Sequence, residues 1–193
     1  GPPTQSTKTF AAVQLGRSDG FGQNRGSQSA RVMAQYEGEL SDAASFRVNS
    51  TVSAASFRSA GVVREDDFKA GRIGFFDTYD GRQGGDSQRA SLSANLHYHK
   101  ENVTFDSTVF GIARGLRMLE NFTGFIADTQ LPQQSLHDQR GDLIDRDNQL
   151  FTVGAKGFGR IRTVWRERPQ ELEFGYFARF DATAGQQQRV LAG

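Results

Sequence analysis

From Ser29 the chain alternates: Ala30, Val32, Ala34 and Tyr36 share one side, Arg31, Gln35 and Glu37 the other, and Met33 is the lone exception. Period two is the mark of a strand with one apolar face. The next segment sets Phe46, Val48, Val52 and Ala54 against Arg47, Asn49, Thr51 and Ser53, with only Ser50 interrupting the apolar side. From Arg89 the pattern is cleaner, with Ala90, Leu92, Ala94, Leu96 and Tyr98 opposing Arg89, Ser91, Ser93, Asn95, His97 and His99. It continues with Val103, Phe105, Val109 and Ala113 opposite Thr104, Asp106, Thr108 and Arg114. Near the end, Leu172, Phe174, Tyr176, Ala178 and Phe180 oppose Glu171, Glu173, Arg179 and Asp181. Ala11, Val13 and Leu15 make a weaker first strand, and Phe151, Val153 and Ala155 a weaker sixth. No segment has comparable helical spacing, so the pattern predicts seven strands and no helix.

The connections alternate in length. Arg17 to Gln28, Phe57 to Gln88 and Arg117 to Asn148 are long. Gly38 to Asp42, Lys100 to Asn102 and Arg166 to Pro169 are short. All long loops therefore fall at one end of an antiparallel meander. A soluble sandwich has no physical reason for that asymmetry, whereas an outer-membrane barrel has one. There, short turns face the periplasm, long loops face outside, and strands of about ten alternating residues cross at a tilt. Aromatics flank each short turn: Tyr36 and Phe46, Tyr98 and Phe105, Phe158 and Phe174, with Phe10 at the same end of the first strand. They match the interfacial girdle of such barrels.

Composition changes meaning in this light. The chain has 193 residues, 23 Lys+Arg, 22 Asp+Glu and no Cys. A net charge of +1 gives no electrostatic footprint for nucleic acid. The lack of Cys excludes disulfides, thiolate metal sites and thiol nucleophiles. No run approaches the ~20 apolar residues of a membrane helix. The mean hydropathy of −0.57 is ordinarily that of a soluble chain. In a barrel, though, half of each strand faces water or polar side chains, so a low average is expected.

The strand number has its own consequence. Single-chain bacterial barrels have an even count, and an open sheet would leave unpaired edges in the bilayer. The expectation is an all-β, up-and-down antiparallel meander of about seven strands that forms part of a transmembrane β-barrel. Residues 8–181 are the barrel segment, 182–193 a truncated external loop, and 1–7 a leader or tag remnant. Gly1-Pro2 reads equally well as a cleavage scar or a native turn. A terminal aromatic, expected at the end of a complete barrel, is absent.

Phe75-Phe76-Asp77-Thr78-Tyr79-Asp80, followed by Gln83-Gly84-Gly85-Asp86 and an alternating strand, resembles the barrel of TonB-dependent outer-membrane receptors. So do Arg117 to Phe125, where a strand rises into an external loop, and Asp145-Arg146-Asp147 leading into Phe151-Thr152-Val153-Gly154. The resemblance spans roughly Phe10 to Asp181. It implies a many-stranded barrel around an N-terminal plug, importing scarce ligands such as iron chelates, cobalamin or glycans with energy passed by TonB. The plug and the TonB-contacting box are missing from this sequence. The implied partners are outer-membrane lipid, a small-molecule ligand and TonB through the missing plug, in the bacterial outer membrane. A small passive porin and a soluble all-β binding module are the alternatives.

Ligand contacts should come from loops held by a rigid scaffold. Phe75, Phe76, Tyr79, Arg82, Phe122, Phe125 and Gln139 are the candidates. His97 and His99 share a face with Asn95 but lack a third metal ligand. Glu65, Asp66 and Asp67 lack the spacing of a calcium loop and read as solvated charge. Asn121-Phe122-Thr123 matches a glycosylation acceptor, and Arg140-Gly141-Asp142 reads as chance. Glu171 and Glu173 suit solvation or ion steering in a lumen better than acid/base catalysis. No nucleophile triad, phosphate loop or nucleotide fingerprint is present, so neither an enzyme nor a cofactor is expected.

Overall fold

A computed structural model describes residues 9–121 and 143–191. They form one antiparallel sheet of seven strands in chain order: β1 (Phe10–Ser18), β2 (Ser27–Ser41), β3 (Ala44–Arg58), β4 (Gly84–Lys100), β5 (Val103–Glu120), β6 (Leu143–Trp165) and β7 (Arg168–Leu191). The all-β meander and its seven strands follow the alternation in the sequence. One helical turn, α1 (Glu65–Lys69), lies between β3 and β4 where no helix was expected. Five residues are too few for a helical period to show.

A second difference lies at the end of the chain. The external loop expected at 182–193 is strand as far as Leu191, with Gln187 opposite Asp147 and Arg189 opposite Asp145. Residues 182–191 are too polar on both sides to show alternation, and their strand conformation comes from pairing with β6. The expected leader at 1–7 lies outside the described residues.

The register gathers the apolar positions onto one face. One row runs Val13, Val32, Val52, Ala90, Ala113, Phe151, Ala182 across all seven strands. The next runs Ala11, Ala34, Ser50, Leu92, Gly111, Val153, Phe180. From Ala44 to Ala54 on β3, and over the matching stretch of each neighbour, this face carries no charged side chain. Ten steps of ~3.4 Å make the face about 34 Å long along the strands. At the ~40° tilt of outer-membrane barrel strands, that length would span about 26 Å, against a hydrocarbon band of about 25 Å.

Nothing in the described structure covers the face. Val13, Leu15, Val32, Val52, Leu92, Val153 and Phe180 are exposed, and among the described residues only Ala60 and Leu143 are buried apolar side chains. A soluble monomer rarely leaves so wide an apolar surface open.

Aromatics border the band toward the short turns, and their positions step. Tyr36 lies opposite Val48, two residues from Phe46; Phe46 lies opposite Leu96, two residues from Tyr98. A plane cutting tilted strands produces such a step. Phe105, Phe174 and Tyr176 extend the border. Phe10 and Phe158, expected in the same girdle, belong to the other face, opposite Gln35 and Asp106. Proximity to a turn does not fix facing, because one residue of register reverses it.

Glycines accommodate these rings. A Cβ on Gly38 would come within 2.8 Å of the Phe46 ring, and one on Gly157 within 2.6 Å of Tyr176. Tyr176 thereby crosses Gly157 to reach Ser107, with 2.5 Å between the hydroxyls. This bond satisfies the hydroxyl of a serine otherwise out of place on the apolar face. Gly157→Val is expected to press on the Asp106 carbonyl and displace the ring, and the lost Ser107 bond should cost about 0.5–1.5 kcal/mol, read as a lowered unfolding midpoint. Gly175→Val, where the nearest heavy atom would be 3.5 Å away, should cost less.

The opposite face is polar and mostly paired across strands. Glu37 opposes Arg47 at 2.9 Å, His97 opposes Asp106 at 3.0 Å, and Asn95 donates to Thr108 at 3.0 Å. Arg162 donates to Glu171 at 2.8 Å, and Arg160 to Glu173 at 2.6 Å. Cross-strand pairs of opposite charge are the stabilising unit of such a surface.

Candidate functional site

The long-loop end of the sheet is organised by the β3–β4 connection. Its centre is Asp67, whose side chain is 3% exposed although the sequence reads it as solvated loop charge. Arg72 donates to Asp67 at 2.7 Å, and the Tyr79 hydroxyl donates to the other carboxylate oxygen at 2.5 Å. α1 carries the aspartate inward and a turn returns the arginine, with the Arg72 amide donating to the Asp67 carbonyl at 2.9 Å. Its neighbour Asp66 stays outside and is held below the usual carboxylate range by a hydrogen bond from Arg64.

A second anchor lies near the start of β4. Asp80 is buried and accepts from the Arg82 amide at 2.9 Å and from its guanidinium at 3.1 Å. Gln83, also buried, accepts from the Asn121 amide at 3.2 Å. Asn24, in the β1–β2 loop at φ 51°, donates to the carbonyls of Ser59 and Gln83 at 2.6 and 2.9 Å. The left-handed conformation that asparagine tolerates aims its amide across the gap between loops. Gln23 completes the junction by donating its amide to the Phe76 carbonyl at 2.9 Å. Gly22 lies beneath at φ 126°, where a Cβ would come within 2.5 Å of that carbonyl. Sequence pattern does not reveal Asn24, Asp67, Asp80 and Gln83 as site residues, since polar loop residues carry no period.

This frame displays apolar rings. Phe68, Phe75 and Phe76 form an edge-to-face chain with centroids 6.1 and 5.2 Å apart. All three are exposed, as are Phe21 and Val62. Of the candidates, Phe75 and Phe76 thus present open ring surface. Tyr79 and Arg82 are committed to Asp67 and Asp80. Phe122, Phe125 and Gln139 lie outside the described residues. His97 faces Asp106, and His99 lies 3.0 Å from Thr104; no cluster of three metal-binding side chains occurs among the described residues.

Below the loops, the apolar band ends at a charged border. Arg17, Gln28, Ser56, Asp86, Arg117 and Asp147 form one row on the apolar face. A hollow of about 1050 Å³ runs along it, lined mainly by this face, including Leu15, Ala30, Val52, Ala90 and Phe151. Beyond the band, Arg117 grips Asp145 through bonds of 2.9 and 2.8 Å. The hydrogen bond from Arg117 holds the Asp145 carboxyl below its usual value, against the opposing effect of burial. A depressed folded-state pKa gives stability that is present above the unfolded value, about 3.9, and lost as pH falls through the folded value. Arg117→Gln should therefore be less stable than the parent at pH 7. The gap should close in acid well below pH 3.9, as read by chemical unfolding at both pH values.

Comparison with protein-family models, curated proteins and solved structures finds no match for this chain.

Proposed function

We propose that this chain is part of the barrel wall of an outer-membrane receptor of the TonB-dependent type. Its loops contribute to capture of a scarce ligand such as an iron chelate, cobalamin or a glycan. Its apolar face meets outer-membrane lipid, and transport runs through TonB by way of a plug domain. One observation carries the reading: a charge-free apolar face about ten residues long crosses all seven strands, uncovered by any described residue, between an aromatic border and a charged one. Lipid is the solvent that such a face matches. Phe75 and Phe76, exposed on an anchored loop, are the ligand contacts proposed here.

The absence of cysteine makes the topology directly testable. With Gly81→Cys in the β3–β4 loop and Asp42→Cys in the β2–β3 turn, a membrane-impermeant maleimide should label the first on intact cells. The second should react only after permeabilisation. Equal labelling, or protein recovered in the soluble fraction, would contradict the proposal.

The hollow on the apolar face favours a second reading, a soluble all-β module that binds an apolar ligand against Leu15, Val52 and Phe151. A cooperative, detergent-free thermal transition of the monomer would select it.

A further inference from the structure

On the polar face, one row of the sheet departs from the pairing rule of its neighbours. It runs Gln14, Arg31, Ser53, Arg89, Arg114, Leu150, Thr183. Arg89 and Arg114 are direct cross-strand partners, a like-charge opposition that is destabilising by itself. Elsewhere on this face, opposed ionisable side chains are complementary: Glu37 with Arg47, His97 with Asp106, Arg160 with Glu173, Arg162 with Glu171. Arg31, Arg89 and Arg114 form no ion pair within 4.0 Å among the described residues. Asp181, the acid two residues along the strand from this row's Thr183, is held by Arg179 at 2.8 Å and by Thr152, and it attracts Arg114 only at longer range.

The dimensions suit an anion. Adjacent strands bring the Arg89 and Arg114 Cβ atoms to about 5 Å, and Arg31 stands two strands, about 10 Å, from Arg89. Between them lies Ser53, and Ser29, Thr51, Ser87 and Ser91 surround the row. Short hydroxyl side chains leave space above the sheet and add donors, while guanidinium forks match phosphate oxygens two at a time.

We propose that Arg31, Arg89 and Arg114 form a binding site for a small multivalent oxyanion of the phosphate class. The site belongs to the polar face and does not depend on whether that face lines a lumen. An anion bridging Arg89 and Arg114 turns the repulsive opposition into two charge-assisted contacts. Arg31 engages the far end of a longer anion.

Calorimetric titration of the full chain with inorganic phosphate and with pyrophosphate, at low salt, tests this. The parent should bind pyrophosphate more tightly than phosphate. The double substitution R89Q and R114Q should weaken pyrophosphate binding at least tenfold, and R31Q should weaken pyrophosphate more than phosphate. R162Q, whose parent side chain is satisfied by Glu171, should leave binding unchanged. Should the double variant not fold, R89Q alone decides. Without anion it should melt above the parent, because the repulsion is relieved, and the gain should vanish in pyrophosphate. No binding by the parent, equal binding by the double variant, or equal weakening by R162Q overturns the proposal.

Discussion

Leu92→Arg is expected to lower folding stability in a lipid bilayer by about 2–4 kcal/mol, the usual cost of a cation at mid-depth on a barrel's outer surface. Leu92 lies near the middle of the apolar band, beside Ser50 and Gly111, and is exposed. The magnitude discriminates, because the same substitution at an exposed position in water should change stability by about 0.5 kcal/mol or less. Ser93→Arg, one residue away, on the polar face and opposite Asn49 and Phe110, is the matched control and should cost far less in the bilayer. Equilibrium unfolding of both variants in vesicles, compared with the parent, gives the answer.

The second large effect is expected in the loop. Arg72→Ala removes the cation beside a carboxylate whose side chain is 3% exposed, while the hydrogen bond from the Tyr79 hydroxyl stays. Breaking a buried pair from one side costs about 3–5 kcal/mol. Half-exposure of Arg72 places the expected value at the lower end, about 3 kcal/mol. The loss should be local, opening residues 59–83 to protease and to amide exchange while the sheet stays protected. Phe75 and Phe76 are displayed by that loop, so ligand capture should fall with it. Asp67→Asn, which keeps an acceptor for Tyr79 and buries no charge, should cost less.

How much of this was legible in the sequence depends on which physical signal each part leaves. The strands were legible because one face of each must be apolar, and Leu92, Ala94 and Leu96 on β4 show that at period two. The extension of β7 to Leu191 was not, because beyond the band both faces are polar and alternation ends while pairing continues. The facing of Phe10 and Phe158 was hidden because register, not distance from a turn, decides it. In the loop, Phe75 and Phe76 were legible as candidates because large aromatics in a polar segment are conspicuous. The burial of Asp67 was not, since an acidic run looks solvated until Arg72 and Tyr79 are known to surround it. The arginine row was invisible for a similar reason. Arg31, Arg89 and Arg114 are far apart in sequence, and only three successive registers bring them level.

In an outer-membrane barrel wall, the face carrying Val48, Ser50 and Val52 should meet lipid while the face carrying Asn49, Thr51 and Ser53 meets water. Single cysteines at each position from Val48 to Ser53, spin-labelled in protein reconstituted into vesicles, test it directly. Access should alternate with period two, even positions being relaxed by dissolved oxygen and odd positions by a water-soluble nickel complex. Uniform access of the nickel complex to both sets, or the inverse alternation, would contradict it.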